Sequence, residues 1–271
     1  RSEEKFAEHG LNGFVFSPSA ISYAFCTRHA VIERLAGERL KQPTSPDLQG
    51  VFMLGTAAHR MLQEEILGPL GILYGFWYTQ TDSEGMPVDL VEGFQPTPAH
   101  KYKEVRCLDA DNYIGGHTDG LLLVNGEWLV LDIKTINRFS FDALKEPKEA
   151  HVLQVQLYAR GVFNTAQKIA PKRGVILYFC KDTSARKYFY FDLQANKTQD
   201  IVDQIQAVKV FMTAKKLPRR NYMCKSLASV TAKDCGACDL CFAVDTDAEG
   251  YDNLVALLQQ RVGNDRRSTK G

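Results

Sequence analysis

A predicted β-hairpin near the middle of the chain constrains the fold more than any other sequence feature. Its turn is Asn125-Gly126, a dipeptide strongly favoured in two-residue hairpin connections, and apolar runs flank it on both sides. This turn pairs Val124 with Glu127, and counting outward from that pair sets Asp119 directly opposite Asp132. The predicted register therefore brings two carboxylates together on one face of a sheet.

Two carboxylates in directly opposed positions destabilise a sheet unless a positive charge neutralises them. Mg²⁺ or Mn²⁺ suits this role, because hard cations bind carboxylate oxygens, water and phosphate oxygens. Lys134 follows Asp132 by two residues and shares its face. The alternative is structural, with Asp132 and Lys134 forming an exposed ion pair and Asp119 only ending a strand. The hairpin alone leaves this alternative and a metal site for phosphodiester chemistry equally open.

A further candidate ligand, His59, lies on a predicted helix over residues 51–67. Apolar residues recur there at helical spacing, and His59 lies at the edge of that stripe, where its side chain can point into a cleft. Gly55, one turn earlier on the same side, leaves room for a strand or a phosphate. From the sequence alone, an ordinary core or surface histidine is the alternative.

Three more polar residues lie on predicted elements near the hairpin. Glu104 belongs to a predicted strand over 101–108 and faces either the site or the solvent. Gln154 and Tyr158 are four residues apart on a predicted helix over 148–163, so they lie on one side of it. Without further context, both are interpreted as residues at the boundary of the core.

These motifs occur in an order that resembles RecB-type nucleases of the PD-(D/E)xK superfamily. The resemblance spans about residues 15 to 245, and its segments are Gly55-Thr56-Ala57-Ala58-His59, Glu104, Gly116-x-x-Asp119, Asp132-Ile133-Lys134 and Gln154-x-x-x-Tyr158. Each segment is weak alone, but five in order on suitable elements form a strong signal. The resemblance implies an α/β core with a central mixed sheet flanked by helices, and hydrolysis of phosphodiester bonds.

The resemblance also implies a role for each site residue. The implied catalytic residues are His59, Glu104, Asp119, Asp132, Lys134, Gln154 and Tyr158. The implied ligands of Mg²⁺ or Mn²⁺ are His59, Asp119, Asp132 and the backbone carbonyl of Ile133, with Glu104 helping to hold the ion. Lys134 would lie beside the scissile phosphate, where an ammonium group orients the attacking water or stabilises developing charge. Gln154 and Tyr158 would support the active site and contact the nucleic acid strand.

Cysteine spacing is the second strong feature. Three of the seven cysteines form Cys235-Gly236-Ala237-Cys238-Asp239-Leu240-Cys241, which resembles the run that binds an iron–sulfur cluster in bacterial ferredoxins. A fourth ligand must come from elsewhere in the chain. Cys224 would complete a local site that suits zinc equally well. Cys26 lies in a segment that resembles the N-terminal helix of iron–sulfur RecB-type nucleases, which implies a 4Fe–4S cluster held by Cys26, Cys235, Cys238 and Cys241.

A cluster that joins the two ends of the chain predicts a structural staple rather than an electron carrier, because it closes a very long loop. Cys107 and Cys180 lie in predicted strands and are interpreted as buried small hydrophobic residues. Reduced thiols suit an intracellular, cytoplasmic setting.

Length and composition predict one domain over 1–271 with a nuclease core at about 50–216, because 271 residues with 45% hydrophobic content can bury one large core. The staple is assigned to the N-terminal helix and the segment 224–245. The polar tail at 256–271 is predicted to be flexible. The segment 69–100 is interpreted as an irregular insertion over the cleft. No stretch is long or apolar enough to span a bilayer, and no secretory signal is visible.

The sequence therefore predicts a metal-dependent DNA nuclease, most simply an exonuclease acting on single-stranded DNA or DNA ends. Its net charge of +1 is low for a protein that tracks DNA through phosphate contacts alone, so local basic clusters must supply the binding. Recombination, repair, replication and CRISPR adaptation are the candidate settings, in bacteria, archaea or viruses, and a recombination, helicase or CRISPR-adaptation protein is a candidate partner. The alternative is a non-cleaving DNA-binding or interaction subunit of a larger complex.

Overall fold

The computed structural model describes residues 15–36, 45–163, 169–220, 238–244 and 248–268. The chain divides into two compact units. The sheet unit consists of Val15–Tyr23 and the described part of Ser45–Gln199. The cysteine unit consists of the described parts of Ala24–Thr44 and Asp200–Gly271. The prediction that the chain is a single nuclease domain stays a prediction.

In the described residues, helices come first, seven consecutive strands follow, and two helices separate these from the last two strands. The strands are β1 Leu73–Tyr78, β2 Val91–Phe94, β3 Lys101–Lys103, β4 Val105–Asp109, β5 Ile114–Thr118, β6 Gly120–Val124, β7 Glu127–Ile136, β8 Arg173–Cys180 and β9 Arg186–Asp192. The α-helices are α1 Pro18–Ala24, α2 Thr27–Ala36, α3 Pro46–Arg60, α4 Arg138–Ala143, α5 Glu149–Phe163, α6 Gln199–Thr213, α7 Cys238–Ala243 and α8 Ala248–Ser268. A π-helix, Met61–Leu67, directly follows α3, and a 3₁₀-helix, Ala195–Thr198, precedes α6.

Among the described residues, seven strands form one mixed sheet. Six of them lie in the order β2-β1-β6-β7-β8-β9, and β3 pairs with β1. The β7–β8 pair is parallel and the remaining pairs of this sheet are antiparallel. Strands β4 and β5 form a separate two-stranded sheet. The predicted mixed α/β architecture with a central mixed sheet is confirmed, whereas the assignment of this core to the PD-(D/E)xK superfamily stays a prediction.

The predicted hairpin turn is present with the predicted register. Asn125 and Gly126 have φ of 51° and 80°, as the favoured two-residue turn requires. Val124 lies opposite Glu127, and the pairs continue outward to Gly120 opposite Leu131. The local turn chemistry therefore determines how β6 and β7 align.

The two predicted strands before this turn are each interrupted at a carboxylate. Glu104 separates β3 from β4, and Asp119 separates β5 from β6. Between these two breaks, β4 and β5 pair with each other, with Val105 opposite Thr118. The predicted ladder pair between Asp119 and Asp132 is therefore wrong, because the chain leaves the strand before Gly120.

The segment 69–100 is not an irregular insertion, because it contains β1 and β2. Strand β1 lies inside the sheet between β2 and β6, and its side chains Leu73 and Trp77 are fully buried. Gly75 interrupts the apolar pattern of this strand, which is why alternation did not reveal it. A Cβ atom at Gly75 would lie 2.5 Å from a ring carbon of Tyr102, so the glycine leaves room for the Tyr102 ring to pack over β1.

The large sheet buries apolar side chains on both of its faces. The π-helix packs on one face through Leu62, together with Ile133 of β7. Helix α5 packs on the other face through Val155, together with Val130 of β7. Because side chains alternate along a strand, Asp132 shares the face of Val130 and points toward α5.

The predicted helix over residues 51–67 is present, but its apolar stripe is only partly buried. Leu62 is buried, whereas Phe52 and Met53 are 57% and 73% exposed, and no residue of α3 is buried. Helix α3 approaches the C-terminal end of β7. A Cβ atom at Gly55 would lie 3.3 Å from the side-chain hydroxyl of Thr135 there. The small residue at this position thus allows the helix to contact the strand.

In the cysteine unit, α2 packs against α7 and α8. Helix α8 extends to Ser268, so residues 256–268 of the segment predicted to be a flexible tail have a helical backbone. Its buried residues Tyr251, Leu254 and Leu258 recur at helical spacing, which explains why the helix forms here. None of the helices within the described residues combines the length and the apolar character that a bilayer span requires.

Candidate metal centre

Three potential ligands meet at one point of the sheet unit. One ligand atom from each of His59, Glu104 and Asp119 lies within 4.8 Å of the others. His59 comes from the last turn of α3, and the two carboxylates occupy the breaks on either side of β4 and β5. His59 Nδ1 lies 3.1 Å from Oδ1 of Asp119. One imidazole nitrogen and two carboxylates in this arrangement suit a divalent cation.

Asp119 is anchored to β7 although it lies outside the ladder. The backbone N–H of Ile133 donates a hydrogen bond of 2.6 Å to Oδ2 of Asp119. The preceding residue, Thr118, donates from its hydroxyl to the carbonyl of Leu131 at 2.8 Å. These contacts hold the Asp119 side chain beside β7. The predicted role of the Ile133 carbonyl as a metal ligand stays a prediction.

Asp132 and Lys134 form a buried pair next to this group. Asp132 is 1% exposed, which excludes the exposed ion pair considered from the sequence. Lys134 Nζ donates to Oδ1 of Asp132 at 3.2 Å and lies 3.0 Å from Oδ2. Among the described residues, no donor reaches the buried Oδ2 atom with hydrogen-bond geometry. A buried carboxylate oxygen without a donor is costly in a protein, and a bound cation would satisfy it.

Helix α5 supplies the groups that hold Lys134 and Asp132 in place. The side-chain oxygen of Gln154, Oε1, accepts a hydrogen bond of 2.9 Å from Lys134 Nζ. The side-chain nitrogen of Gln154, Nε2, donates to Oδ1 of Asp132 at 3.1 Å. The same nitrogen lies 3.1 Å from the hydroxyl of Tyr158. The four-residue spacing predicted from the sequence thus brings Gln154 and Tyr158 to the pair, and their catalytic roles stay predictions.

Burial and mutual repulsion change the ionisation of the site. Desolvation, followed by the charge of Asp119, raises the pKa of Glu104 from 4.5 to about 7. Desolvation raises the pKa of Asp132 from 3.8 to about 7, although Lys134 opposes this shift. Desolvation lowers the pKa of His59, but the hydrogen bond and charge of Asp119 outweigh it, so that pKa is raised from 6.5. The site therefore holds more negative charge than its own residues neutralise.

Gln63 is a site residue that the sequence analysis missed. It is 6% exposed, and its side-chain nitrogen donates to the backbone carbonyl of Asp119 at 2.7 Å. The proximity of its side chain also lowers the pKa of the Glu104 carboxyl group, against the larger effect of desolvation. The only sequence signal for this role is the four-residue spacing from His59 along a helical segment.

The described cysteines divide into two groups. Cys107 and Cys180 are buried in strands, as predicted. In the cysteine unit, the Sγ atom of Cys241 accepts a hydrogen bond of 3.2 Å from Nε of Arg28, which is fully buried. The Sγ atom of Cys26 accepts a hydrogen bond of 3.5 Å from the backbone N–H of His29. Two further predicted ligands, Cys224 and Cys235, lie outside the described residues, and Cys238 is described only as the first residue of α7.

The fold and sequence of the chain were compared with those of known proteins. No protein-family model matches this chain, and no curated protein matches it. Among solved structures, LHK-Exo in complex with dAMP has 15% sequence identity and a TM-score of 0.44, with coverage of 78% of this chain and 93% of that chain. A second structure of this alkaline exonuclease, from Laribacter hongkongensis, has 13% identity with the same TM-score and coverage.

A third solved structure, SSO0001, has 17% identity and a TM-score of 0.40, and the match covers 89% of this chain and 91% of that chain. Similarities of this strength do not establish function. The chemistry of the site therefore has to come from the residues of this chain.

Proposed function

We propose that this protein is a metal-dependent nuclease of the RecB-type PD-(D/E)xK class that hydrolyses phosphodiester bonds in DNA. The observation that carries the proposal is the meeting of His59, Glu104 and Asp119 within 4.8 Å, beside the buried pair of Asp132 and Lys134. An imidazole, several carboxylates and an adjacent ammonium group are the components that metal-assisted phosphoryl transfer requires.

The donor set fits Mg²⁺ or Mn²⁺. The proposed ligands are His59, Asp119 and Asp132, with Glu104 beside them and the Ile133 carbonyl as a backbone ligand. Lys134 Nζ lies 3.0 Å from Oδ2 of Asp132, but no donor reaches this atom with hydrogen-bond geometry among the described residues. After desolvation, the charge of Asp119 raises the pKa of both Glu104 and Asp132, and a bound cation would relieve this repulsion. When bound, such an ion would activate water and neutralise negative charge on the phosphate.

Lys134 is the proposed electrostatic catalyst of the reaction. Its ammonium group is held between Asp132 and Gln154, so its position is defined before a substrate arrives. There it would orient the attacking water and stabilise charge on the phosphoryl oxygens. In hydrolysis, the water oxygen bonds to phosphorus, the ester bond to the leaving oxygen breaks, and that oxygen takes up a proton. Gln154 and Tyr158 would support this geometry and contact the strand.

We propose single-stranded DNA or DNA ends as the substrate, and a recombination, helicase or CRISPR-adaptation protein as a partner. The low net charge of +1 supports a substrate bound mainly at the site and by local basic clusters, rather than by a broadly basic surface. A recombination, repair, replication or CRISPR-adaptation role follows from that substrate class, inside a bacterial, archaeal or virus-infected cell.

We also propose a 4Fe–4S cluster in the cysteine unit, held by Cys26, Cys235, Cys238 and Cys241. Both described sulfur atoms of this set accept hydrogen bonds, from the Arg28 guanidinium in one case and a backbone N–H in the other. Hydrogen bonds to the sulfur atoms are a common feature of iron–sulfur sites. The packing of α2, which begins directly after Cys26, against α7 supports their proximity. Zinc, and Cys224 as a fourth ligand, are the alternatives.

The first experiment follows single-stranded DNA labelled at either end, with Mg²⁺ or Mn²⁺, in the intact protein and the Asp132→Ala variant. We expect loss of label from one end, and we expect the substitution to abolish it, because the variant lacks the buried carboxylate. The Asp200→Ala variant, which changes an exposed carboxylate on α6, serves as a control and should cleave normally.

Each outcome distinguishes a different function. Equal cleavage by the intact protein and Asp132→Ala would exclude the proposed site. DNA binding without cleavage in both proteins would favour the non-cleaving DNA-binding or interaction subunit. Cleavage inside the strand without loss from either end would keep the nuclease and correct the exonuclease assignment.

A further inference from the structure

The π-helix that follows α3 lies against both acidic residues of the histidine–carboxylate cluster. Gln63 lies in its first turn and is 6% exposed. Its side-chain nitrogen donates a hydrogen bond of 2.7 Å to the backbone carbonyl of Asp119. The same side chain is close enough to Glu104 to lower the pKa of that carboxyl group. One side chain is therefore next to the two points at which the chain leaves and rejoins the large sheet.

The next residue of the π-helix strengthens this connection. The carboxylate of Glu64 accepts a hydrogen bond of 3.0 Å from the backbone N–H of Tyr102, two residues before Glu104. Gln63 and Glu64 thus fix the end of β3 and the start of β6 to the same turn of helix. π-helical segments often occur at functional sites, where they reposition side chains that a regular α-helix would turn away.

We propose that Gln63 is a positioning residue that sets the separation of Glu104 and Asp119 for a divalent cation. This inference rests on the proposed function, because it assumes that these carboxylates hold Mg²⁺ or Mn²⁺. The two carboxylates repel each other when the cation is absent. The amide of Gln63 holds the backbone of Asp119, and the adjacent Glu64 holds the backbone of Tyr102 just before Glu104, so the cation meets a site that is already assembled.

Metal affinity in the absence of DNA is the measurement that tests this role. In Gln63→Met, which keeps the side-chain volume and removes the hydrogen bond to Asp119, we expect Mn²⁺ binding to weaken by about tenfold or more, the usual effect of removing a partner of a metal ligand. The maximal cleavage rate should recover largely at saturating Mn²⁺, because Gln63 does not contact the substrate. Titration calorimetry gives the affinity, and cleavage at varied Mn²⁺ gives the rate.

Gln156 provides a matched control on α5. It is 5% exposed, and its amide hydrogen-bonds the backbone of Asp192 and Gln194, outside the site. Gln156→Met removes an equally buried amide, so a loss of metal affinity caused by general destabilisation would appear in this variant as well. We expect its Mn²⁺ affinity to equal that of the intact protein.

Four outcomes are informative. Weaker Mn²⁺ binding in Gln63→Met, with normal binding in Gln156→Met, supports the proposal. Equal binding in Gln63→Met and the intact protein overturns it while leaving the nuclease proposal standing. Absence of Mn²⁺ binding in the intact protein overturns both. If Gln63→Met does not fold, the shorter amide in Gln63→Asn is tested in the same way, and normal affinity in that variant overturns the inference.

Discussion

The two units of this protein hold their candidate ligands in opposite ways. In the sheet unit, hydrogen bonds within the chain fix the carboxylates, as the donation from the Ile133 N–H to Asp119 illustrates. In the cysteine unit, Cys26 and Cys241 lie far apart in the sequence, and α7 has only six residues. The chain also links α2 to Cys241 through the buried Arg28, but the proposed cluster would add direct bonds between the two ends of the sequence, which the carboxylates of the sheet unit do not need. Loss of metal should therefore remove function from the first unit and structure from the second.

The largest expected effect comes from the cysteine unit. In Cys241→Ser we expect complete loss of bound iron and of the brown colour, with faster hydrogen exchange in α2 and α8. The reason is that the hydroxyl is a poor ligand for iron and a three-ligand site cannot hold the cluster. Iron content, visible absorbance and hydrogen exchange measure these changes.

The Cys107→Ala variant is the control for this experiment, because its thiol is buried in β4 of the other unit. It should keep its iron. Iron retained by Cys241→Ser would remove this residue from the ligand set. If the intact protein contained zinc in place of iron, the metal would still have a structural role in the cysteine unit, and only its identity would change.

The corresponding change in the sheet unit is Lys134→Met, which should remove activity without removing the fold. We expect cleavage at saturating Mg²⁺ to slow by about 10²- to 10³-fold, as when one preorganised donor to a charged transition state is lost. The unfolding temperature at saturating Mg²⁺ should remain close to that of the intact protein. Lys172→Met, at an exposed position, should cleave normally. Normal cleavage by Lys134→Met would contradict the assignment.

A third change, Arg160→Met, tests the stability of the sheet unit at a position outside the candidate metal site. Nε of Arg160 on α5 lies 3.1 Å from Oδ2 of Asp109 on β4, and the Asp109 side chain is 2% exposed. Because Arg160→Met leaves this carboxylate buried without its partner, we expect the free energy of unfolding to fall by about 3 kcal/mol. Metal affinity of the folded protein should not change. Urea unfolding and Mn²⁺ titration check the two statements.

The exposed pair of Arg138 and Asp142 is the matched control, with side chains 71% and 66% exposed. Arg138→Met should change the free energy of unfolding by less than about 1 kcal/mol, because solvent screens such pairs. If both arginine variants lost the same stability, the buried pair would have no special part in fixing α5 to β4.

The last expected effect is a dependence of stability on pH in metal-free protein. The folded pKa of both Glu104 and Asp132 lies near 7, above the unfolded values, so the unfolded chain loses these protons first. Stability is therefore highest below the unfolded pKa and falls as the pH rises from about 4 to about 7. His59, whose pKa is also raised, acts in the same direction.

Unfolding temperatures at about pH 5 and about pH 8, in chelator and in Mg²⁺, measure this dependence. We expect Mg²⁺ to reverse the trend, because the cation binds the ionised carboxylates. Asp132→Asn, which cannot ionise, should show a smaller loss of stability than the intact protein in chelator. An equal loss in both would show that Asp132 does not carry the effect.

The sequence predicted the parts of the fold that local chemistry determines. The turn at Asn125-Gly126 fixed the register of β6 and β7, and the spacing of Gln154 and Tyr158 placed both on one side of α5. The breaks at Glu104 and Asp119 were not predictable, because both residues continue a plausible alternating pattern. They arise from tertiary pairing, since β3 pairs with β1 whereas β4 pairs with β5.

The sequence likewise predicted which residues form the candidate site, but not how they are arranged. Each carboxylate could be named from its motif, but the sequence paired Asp119 with Asp132, whereas the closest cluster joins Asp119 to His59 and Glu104. Gln63 could not be identified, because its role depends on the π-helix and on two chain segments that meet only in the folded protein.

Glu104 directly precedes β4 and Asp119 directly follows β5, so both lie at the open end of the hairpin that these strands form. Val105 pairs with Thr118 at its base, so the pairing itself brings the two carboxylates together. Residues added or removed in equal numbers on both strands would change the length of the hairpin and leave the pairing of Val105 with Thr118 in place. The number of residues between the two carboxylates is therefore free to drift during evolution, and a search pattern with a fixed interval would overlook chains that keep the same ligands.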